Sequence, residues 1–134
     1  MSDAKPNVSK GDGYSVSNLA DLGEGPGFRK IRKELGVRAF GVNAIVLPPA
    51  YETGSHYHDE QEELYFIHSG EVEFTFGDGS THRLSPGGIA WVDAPTPRKV
   101  KNLSDMEDAV YVVVGAKDGY VGRDGNLAPG ETHR

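Results

Sequence analysis

An all-β fold, a sandwich or jelly roll of short antiparallel strands, is what this sequence predicts, and three observations predict it. From residue 39 onward, short apolar runs follow one another closely, at the spacing of strands rather than of helices. Glycine and proline, 18 and 8 among 134 residues, fall between those runs and mark turns. Val72, Phe74 and Phe76 alternate with Glu71, Glu73 and Thr75, the pattern of a strand with one buried and one wet face.

The elements follow in order. Residues 1–13 are polar and carry Pro6, Gly11 and Gly13, which predicts a mobile lead unless a partner subunit orders it. Residues 16–22 suit a short strand or turn, with Asn18 to Asp21 opening a single helical turn, and 28–35 suit helix and strand equally. Eight strands are then predicted, at 39–47, 56–58, 63–68, 71–76, 81–84, 89–93, 98–102 and 109–115. Gly77-Asp78-Gly79 closes a hairpin and Ser85-Pro86-Gly87-Gly88 makes another turn. The tail, 117–134, has four glycines and little apolar content, so it is expected to be extended or loosely docked around a single domain at 14–116.

Composition narrows the function. No cysteine is present, so disulfides and thiolate ligands are excluded and any metal must be held by nitrogen and oxygen. A formal net charge of -6 argues against a nucleic-acid partner. The one basic cluster, Arg29-Lys30-Ile31-Arg32-Lys33, is short and suits a solvated face or a dimer contact. No apolar stretch has the length of a membrane span and the start lacks the core of a signal peptide, so a cytoplasmic location is expected.

The chemistry concentrates in His56-Tyr57-His58 and Glu63. Residues at i and i+2 of a strand point to one side, so both imidazoles can converge on one ion, with Glu63 supplied by a neighbouring strand. Two histidines and a carboxylate leave positions open on the ion, which suits iron, zinc, nickel or manganese. Tyr65 shares the face of Glu63. Its phenol is a candidate general acid or base with a pKa lowered by a nearby cation, or else it lines the pocket and donates one hydrogen bond. His68, His82 and His133 read as ordinary surface or core histidines; of these, His82 shares parity with Leu84 and has a route inward as a substitute ligand. Gln61 and Glu62 flank the ligand strand as solvent or supporting groups.

This spacing resembles the first motif of the cupin superfamily, G(X)5HXH(X)3,4E(X)6G: His56, His58, Glu63 and Gly70 fit it throughout, with Ala50 at the leading glycine. In the second motif, G(X)5PXG(X)2H(X)3N, Gly87 and Asn102 match, whereas Asp93, Pro95 and Arg98 stand for the proline, the glycine and the histidine that is the family's usual fourth ligand. The resemblance covers residues 40–116 and implies an antiparallel β-barrel, a double-stranded β-helix of the small single-domain cupin type, with a divalent metal on His56, His58 and Glu63.

Arg98 then decides how such a site works. A guanidinium about 5 Å from a dication is repelled by roughly 6 to 7 kcal/mol at an effective dielectric of 20. One solution swings Arg98 to the barrel mouth, where its planar fork anchors a carboxylate or phosphate of a small anionic substrate. The other pairs it with Glu63, its cation replacing the metal. Three readings stay open: a metal-dependent enzyme of oxygenase, isomerase or lyase type, a binding or sensing module, and a stable barrel with a vestigial site. Trp91, opposite in parity to Ala90 and Val92, is placed outside. Residues 110–114, apolar on both faces, need covering, which predicts a homodimer.

Overall fold

The computed structural model describes residues 7–133. Its strands are β1 (Ser9–Gly11), β2 (Tyr14–Val16), β3 (Gly27–Arg29), β4 (Gly41–Leu47), β5 (His56–His58), β6 (Glu62–Ser69), β7 (Val72–Phe76), β8 (Thr81–Leu84), β9 (Ile89–Val92), β10 (Arg98–Asn102), β11 (Ala109–Ala116) and β12 (Gly125–Leu127), with one short helix, α1 (Ile31–Leu35). They form two five-stranded antiparallel sheets, in the orders β12-β5-β10-β7-β8 and β3-β4-β11-β6-β9, plus the hairpin β1-β2. The fold is therefore a jelly roll of two facing sheets, and the closed barrel implied by the resemblance is corrected to that extent.

Strict alternation drives the packing. Along β6, Glu63, Tyr65 and Ile67 are buried while Glu62, Leu64, Phe66 and His68 are exposed. Tyr65 and Ile67 from one sheet meet Val72, Phe74 and Val100 from the other, and Leu47, Val92, Ala109 and Tyr111 complete the core. The chain passes from one sheet to the other between β6 and β7 at Gly70, whose φ is 79° and where a Cβ would stand 2.9 Å from Ala109 Cα. Both the backbone and the close approach require glycine there.

Asn102 anchors the end of the jelly roll away from the histidines. Fully buried, it donates from Nδ2 to the carbonyls of Leu47, Pro48 and Glu107 at 3.1, 3.1 and 2.8 Å, and its Oδ1 accepts from the Ser104 amide at 2.9 Å. One side chain thereby ties the end of β4 and the turn after it to the loop that precedes β11.

Several expectations sharpen. The ambiguous stretch at 28–35 divides, with Phe28 in β3 and α1 following, ended by Gly36 in the left-handed conformation at φ 78°. Asn18 precedes a single 3-10 turn at Leu19–Asp21. Of the expected mobile lead, residues 1–6 lie outside the described residues and Ser9 to Gly11 pairs with β2. The tail is not loose throughout: β12 extends a sheet by pairing Gly125 with His58 and Leu127 with His56. No helix of the described residues is long and apolar enough to cross a membrane.

Candidate metal centre

The histidines reach the interior because β5 is held on both sides. Leu127 of β12 pairs with His56 on one edge and Arg98 of β10 on the other. Phe76 of β7 pairs with Arg98 in turn, so His56, Arg98 and Phe76 form one row across the sheet. Glu63 comes from the facing sheet, not from a strand beside β5 as the sequence suggested, because β6 belongs to the other layer.

His56, His58 and Glu63 offer ligand atoms that all lie within 4.8 Å of one another, and the two imidazoles meet edge to face with centroids 5.3 Å apart. Metal bonds of about 2.1 Å leave ligand atoms up to about 4.2 Å apart, so small side-chain movements close the group around an ion. The donor chemistry fits as well. His58 Nδ1 stands 2.8 Å from Asp124 Oδ1, while its Nε2 is buried without a hydrogen bond, 3.3 Å from Glu63 Oε1. An unspent imidazole nitrogen beside a carboxylate is what a divalent cation takes up.

Asp124, which the sequence did not single out, is saturated with donors. Its Oδ2 accepts from the amides of Glu60 and Gln61 at 2.9 and 3.1 Å, and its Oδ1 accepts from Gln61 Nε2 at 2.6 Å as well as facing His58. Burial works against its charge, but these bonds outweigh it and hold the carboxyl far below the usual range. Its signal was an acid in a polar turn, Arg123-Asp124-Gly125-Asn126, and nothing local tied that turn to a histidine 66 residues earlier.

The remaining electrostatics follow from one carboxylate shared by three neighbours. Burial raises the Glu63 carboxyl, yet His58, the Tyr65 hydroxyl and Arg98 more than offset it and leave it lowered. Burial lowers His58, but Glu63 and then Asp124 raise it above its ordinary value. His56 lacks such a partner, and burial followed by Arg98 pushes it down to about 4, so it is neutral at pH 7. Tyr65 donates to Glu63 Oε1 at 2.7 Å, and burial together with that carboxylate raises its phenol well above normal. Of the two roles expected of Tyr65, the single hydrogen-bond donor in the pocket wall is the one seen, and the surrounding protein groups raise its phenol rather than lower it.

Arg98 is also corrected in position. It is 0% exposed and does not swing to the mouth: Nη2 donates to the Asp93 carbonyl at 2.8 Å and Nη1 stands 3.7 Å from Glu63 Oε1, a single contact rather than a bidentate pair. Its Nε and Nη1 are buried without hydrogen bonds. The other histidines stay apart. His82 is exposed and bonds Ser80 Oγ at 3.1 Å, so its inward route is not taken; His68 is exposed on the outer face, and exposed His133 contacts the Glu52 carbonyl at 3.1 Å.

A cupin domain matches residues 44–115, more than half of the chain, and this protein belongs to the cupin family. No curated protein matches it. Among solved structures it is similar to an uncharacterized conserved protein with a double-stranded β-helix domain from Klebsiella pneumoniae, at 26% identity and TM-score 0.60 over 67% of this chain and 75% of that one. It is similar also to a sugar phosphate isomerase of the cupin superfamily from Silicibacter pomeroyi, at 25% identity and TM-score 0.64 over 88% and 67% of the two chains. A third similar structure, from a study of DMSP lyases, is 25% identical with TM-score 0.58, over 66% of this chain but only 44% of that one.

Proposed function

We propose that this cupin binds a divalent metal through His56, His58 and Glu63 and acts on a small anionic substrate that Arg98 helps to hold. The observation that carries the reading is the gathering of three ligand-type side chains around the unspent Nε2 of His58, beside a buried guanidinium with two nitrogens also unspent. A divalent ion held there supplies Lewis acidity. The residues supply the rest. Glu63 and Arg98 cancel one another and Asp124 adds one negative charge behind His58, so a divalent ion leaves one positive charge uncompensated in a buried place, and an anionic ligand restores the balance. Iron, zinc, nickel and manganese all suit the nitrogen and oxygen donors.

Tyr65 keeps its proton at neutral pH and turns its hydroxyl on Glu63, so it orients that carboxylate and is the available proton donor beside the site. Isomerase and lyase chemistry is favoured by the likeness to a sugar phosphate isomerase of the cupin superfamily and to a structure from a study of DMSP lyases.

A second reading has its own support. Glu63 is already engaged by Tyr65 at 2.7 Å, His58 at 3.3 Å and Arg98 at 3.7 Å, so the pocket is electrostatically complete without an ion and suits a non-catalytic binding or sensing module. Titration of Co2+-loaded protein with malonate and with glycerol phosphate, read in the visible bands of the ion, separates the two. Anion-dependent shifts that weaken at least tenfold in Arg98→Met support the metal reading; tight anion binding that is indifferent to Co2+ supports the module.

A homodimer belongs to the same proposal. On the outer face of the β6-containing sheet, Leu64 pairs with Trp91 and Val114, and Phe66 with Ile89 and Val112, a continuous apolar surface on which Ile89 and Trp91 remain 66% and 61% exposed. Glu62 and Lys117 at its rim carry opposite charges, which suits a second copy related by a two-fold axis.

A further inference from the structure

We infer that Asp124 is the positioning residue for His58 and that the C-terminal segment is the strap that carries it. The inference rests on the metal reading for its purpose but on separate contacts for its evidence. Four nitrogens lie within hydrogen-bonding distance of the Asp124 carboxylate: the Glu60 amide, the Gln61 amide, the Gln61 side chain and His58 Nδ1. An ionised carboxylate only accepts, so His58 must present a proton on Nδ1. In the neutral ring, that leaves the lone pair on Nε2, the buried atom without a hydrogen bond that faces Glu63. The tautomer is thus fixed by a residue outside the cupin-matched segment, which ends at 115.

The same segment grips the ligand strand at five further points. Asp59 donates its amide to the Asp124 carbonyl at 3.1 Å, and Asn126 Nδ2 bonds Asp59 Oδ1 at 3.0 Å. Beyond the β12 pairing with His56 and His58, Ala128 donates to the Ser55 carbonyl at 2.9 Å, Glu131 Oε2 accepts the Ser55 amide at 2.8 Å, and His133 touches Glu52. Ser55 and Asp59 flank the two histidines, so the strap fixes the backbone on either side of them while Asp124 fixes the ring. Aligning an imidazole through a carboxylate in this way is worth about 10- to 100-fold in metal affinity.

The test compares wild type, Asp124→Asn, Asn126→Ala and His58→Ala. In the 15N-labelled, metal-free protein at a pH where His58 is neutral, two-bond couplings report the ring tautomer: wild type should show Nδ1–H, and Asp124→Asn a mixture. Zn2+ affinity by competition with a chelating dye should fall about 10- to 100-fold in Asp124→Asn. It should fall far less in Asn126→Ala, which loosens the strap without touching the ring. Equal losses in these two variants, or an unchanged tautomer in Asp124→Asn, would overturn the inference. If wild type takes up no Zn2+, the metal reading fails, and the tautomer measurement still decides the role of Asp124.

Discussion

Arg98 lies directly across from His56, Cα partner to Cα partner between β10 and β5, so a buried guanidinium stands beside an imidazole of the ligand group on one face of the sheet. The family's fourth-ligand place is therefore occupied by a fixed positive charge, and its effect is visible in His56, whose pKa it helps to depress. Replacing it tests that role. Arg98→His removes the repulsion and restores a nitrogen donor, and Zn2+ affinity should rise at least about tenfold, since 1.4 kcal/mol is a small part of the repulsion at these separations. Competition with a chelating dye measures it, and an unchanged affinity would show that Arg98 does not oppose the ion.

The metal-free protein should lose stability in a defined pH window. His56 is held at about 4 in the fold against 6.5 when unfolded. Between those values the unfolded chain binds a proton that the fold refuses, so stability falls as pH drops from about 6.5 to about 4, by up to roughly 3 kcal/mol. His58, raised in the fold, acts oppositely: its contribution is fully present below 6.5 and is lost as pH rises through its folded value. The acid limb between pH 6.5 and 4 therefore belongs to His56. Urea midpoints of wild type and His56→Gln across that range check it, and identical slopes would refute it.

Ala50 occupies the motif's leading glycine position and has a φ of 63°, in the left-handed region. The sequence alone makes this departure look inconsequential, since position 50 only opens a loop, but the conformation explains why glycine suits it. Ala50→Gly should stabilise by about 0.5 to 1 kcal/mol, raising the thermal midpoint by about 2 to 4 °C. A lower midpoint would mean that the loop gains nothing from release of strain.

Asn102 matches the second motif for a structural reason. Asn102→Ala would strip partners from three carbonyls and the Ser104 amide and should cost at least about 3 kcal/mol in chemical denaturation. Its effect on Zn2+ affinity in protein that remains folded should be small, because it lies at the opposite end of β10 from Arg98. A large affinity loss with little destabilisation would reverse that assignment.

Local pattern made the fold legible and left the site half legible, for the same reason. Alternation along residues 62–69 and 72–76 and the glycine turns are properties of neighbours in sequence, and the strands fell where they pointed. The parity that placed Trp91 outside and Tyr65 beside Glu63 is also local. Asp124, by contrast, meets His58 only because a short strand 66 residues away returns to the sheet edge, and no periodicity records such a return. Arg98 misled for a physical reason of another kind: repulsion from a dication suggested a swing to the barrel mouth, whereas the Asp93 carbonyl and Glu63 hold it in the interior.

The outer apolar face makes a prediction about assembly. Sedimentation of wild type should give a dimer at micromolar concentration, and Phe66→Glu with Trp91→Glu, both on exposed positions of the sheet, should give a folded monomer. A wild-type monomer would show that this face has no second copy to cover it.

Whether His56, His58 and Glu63 hold a divalent ion is decided by plasma mass spectrometry of protein purified without chelator or nickel affinity resin, beside His56→Ala/His58→Ala. Near-stoichiometric iron, zinc, nickel or manganese is expected in the wild type, and its loss in the double variant. Wild-type protein that is empty as isolated and also refuses each of those ions when they are added would contradict it, and would mean that the Arg98 cation stands where the metal would.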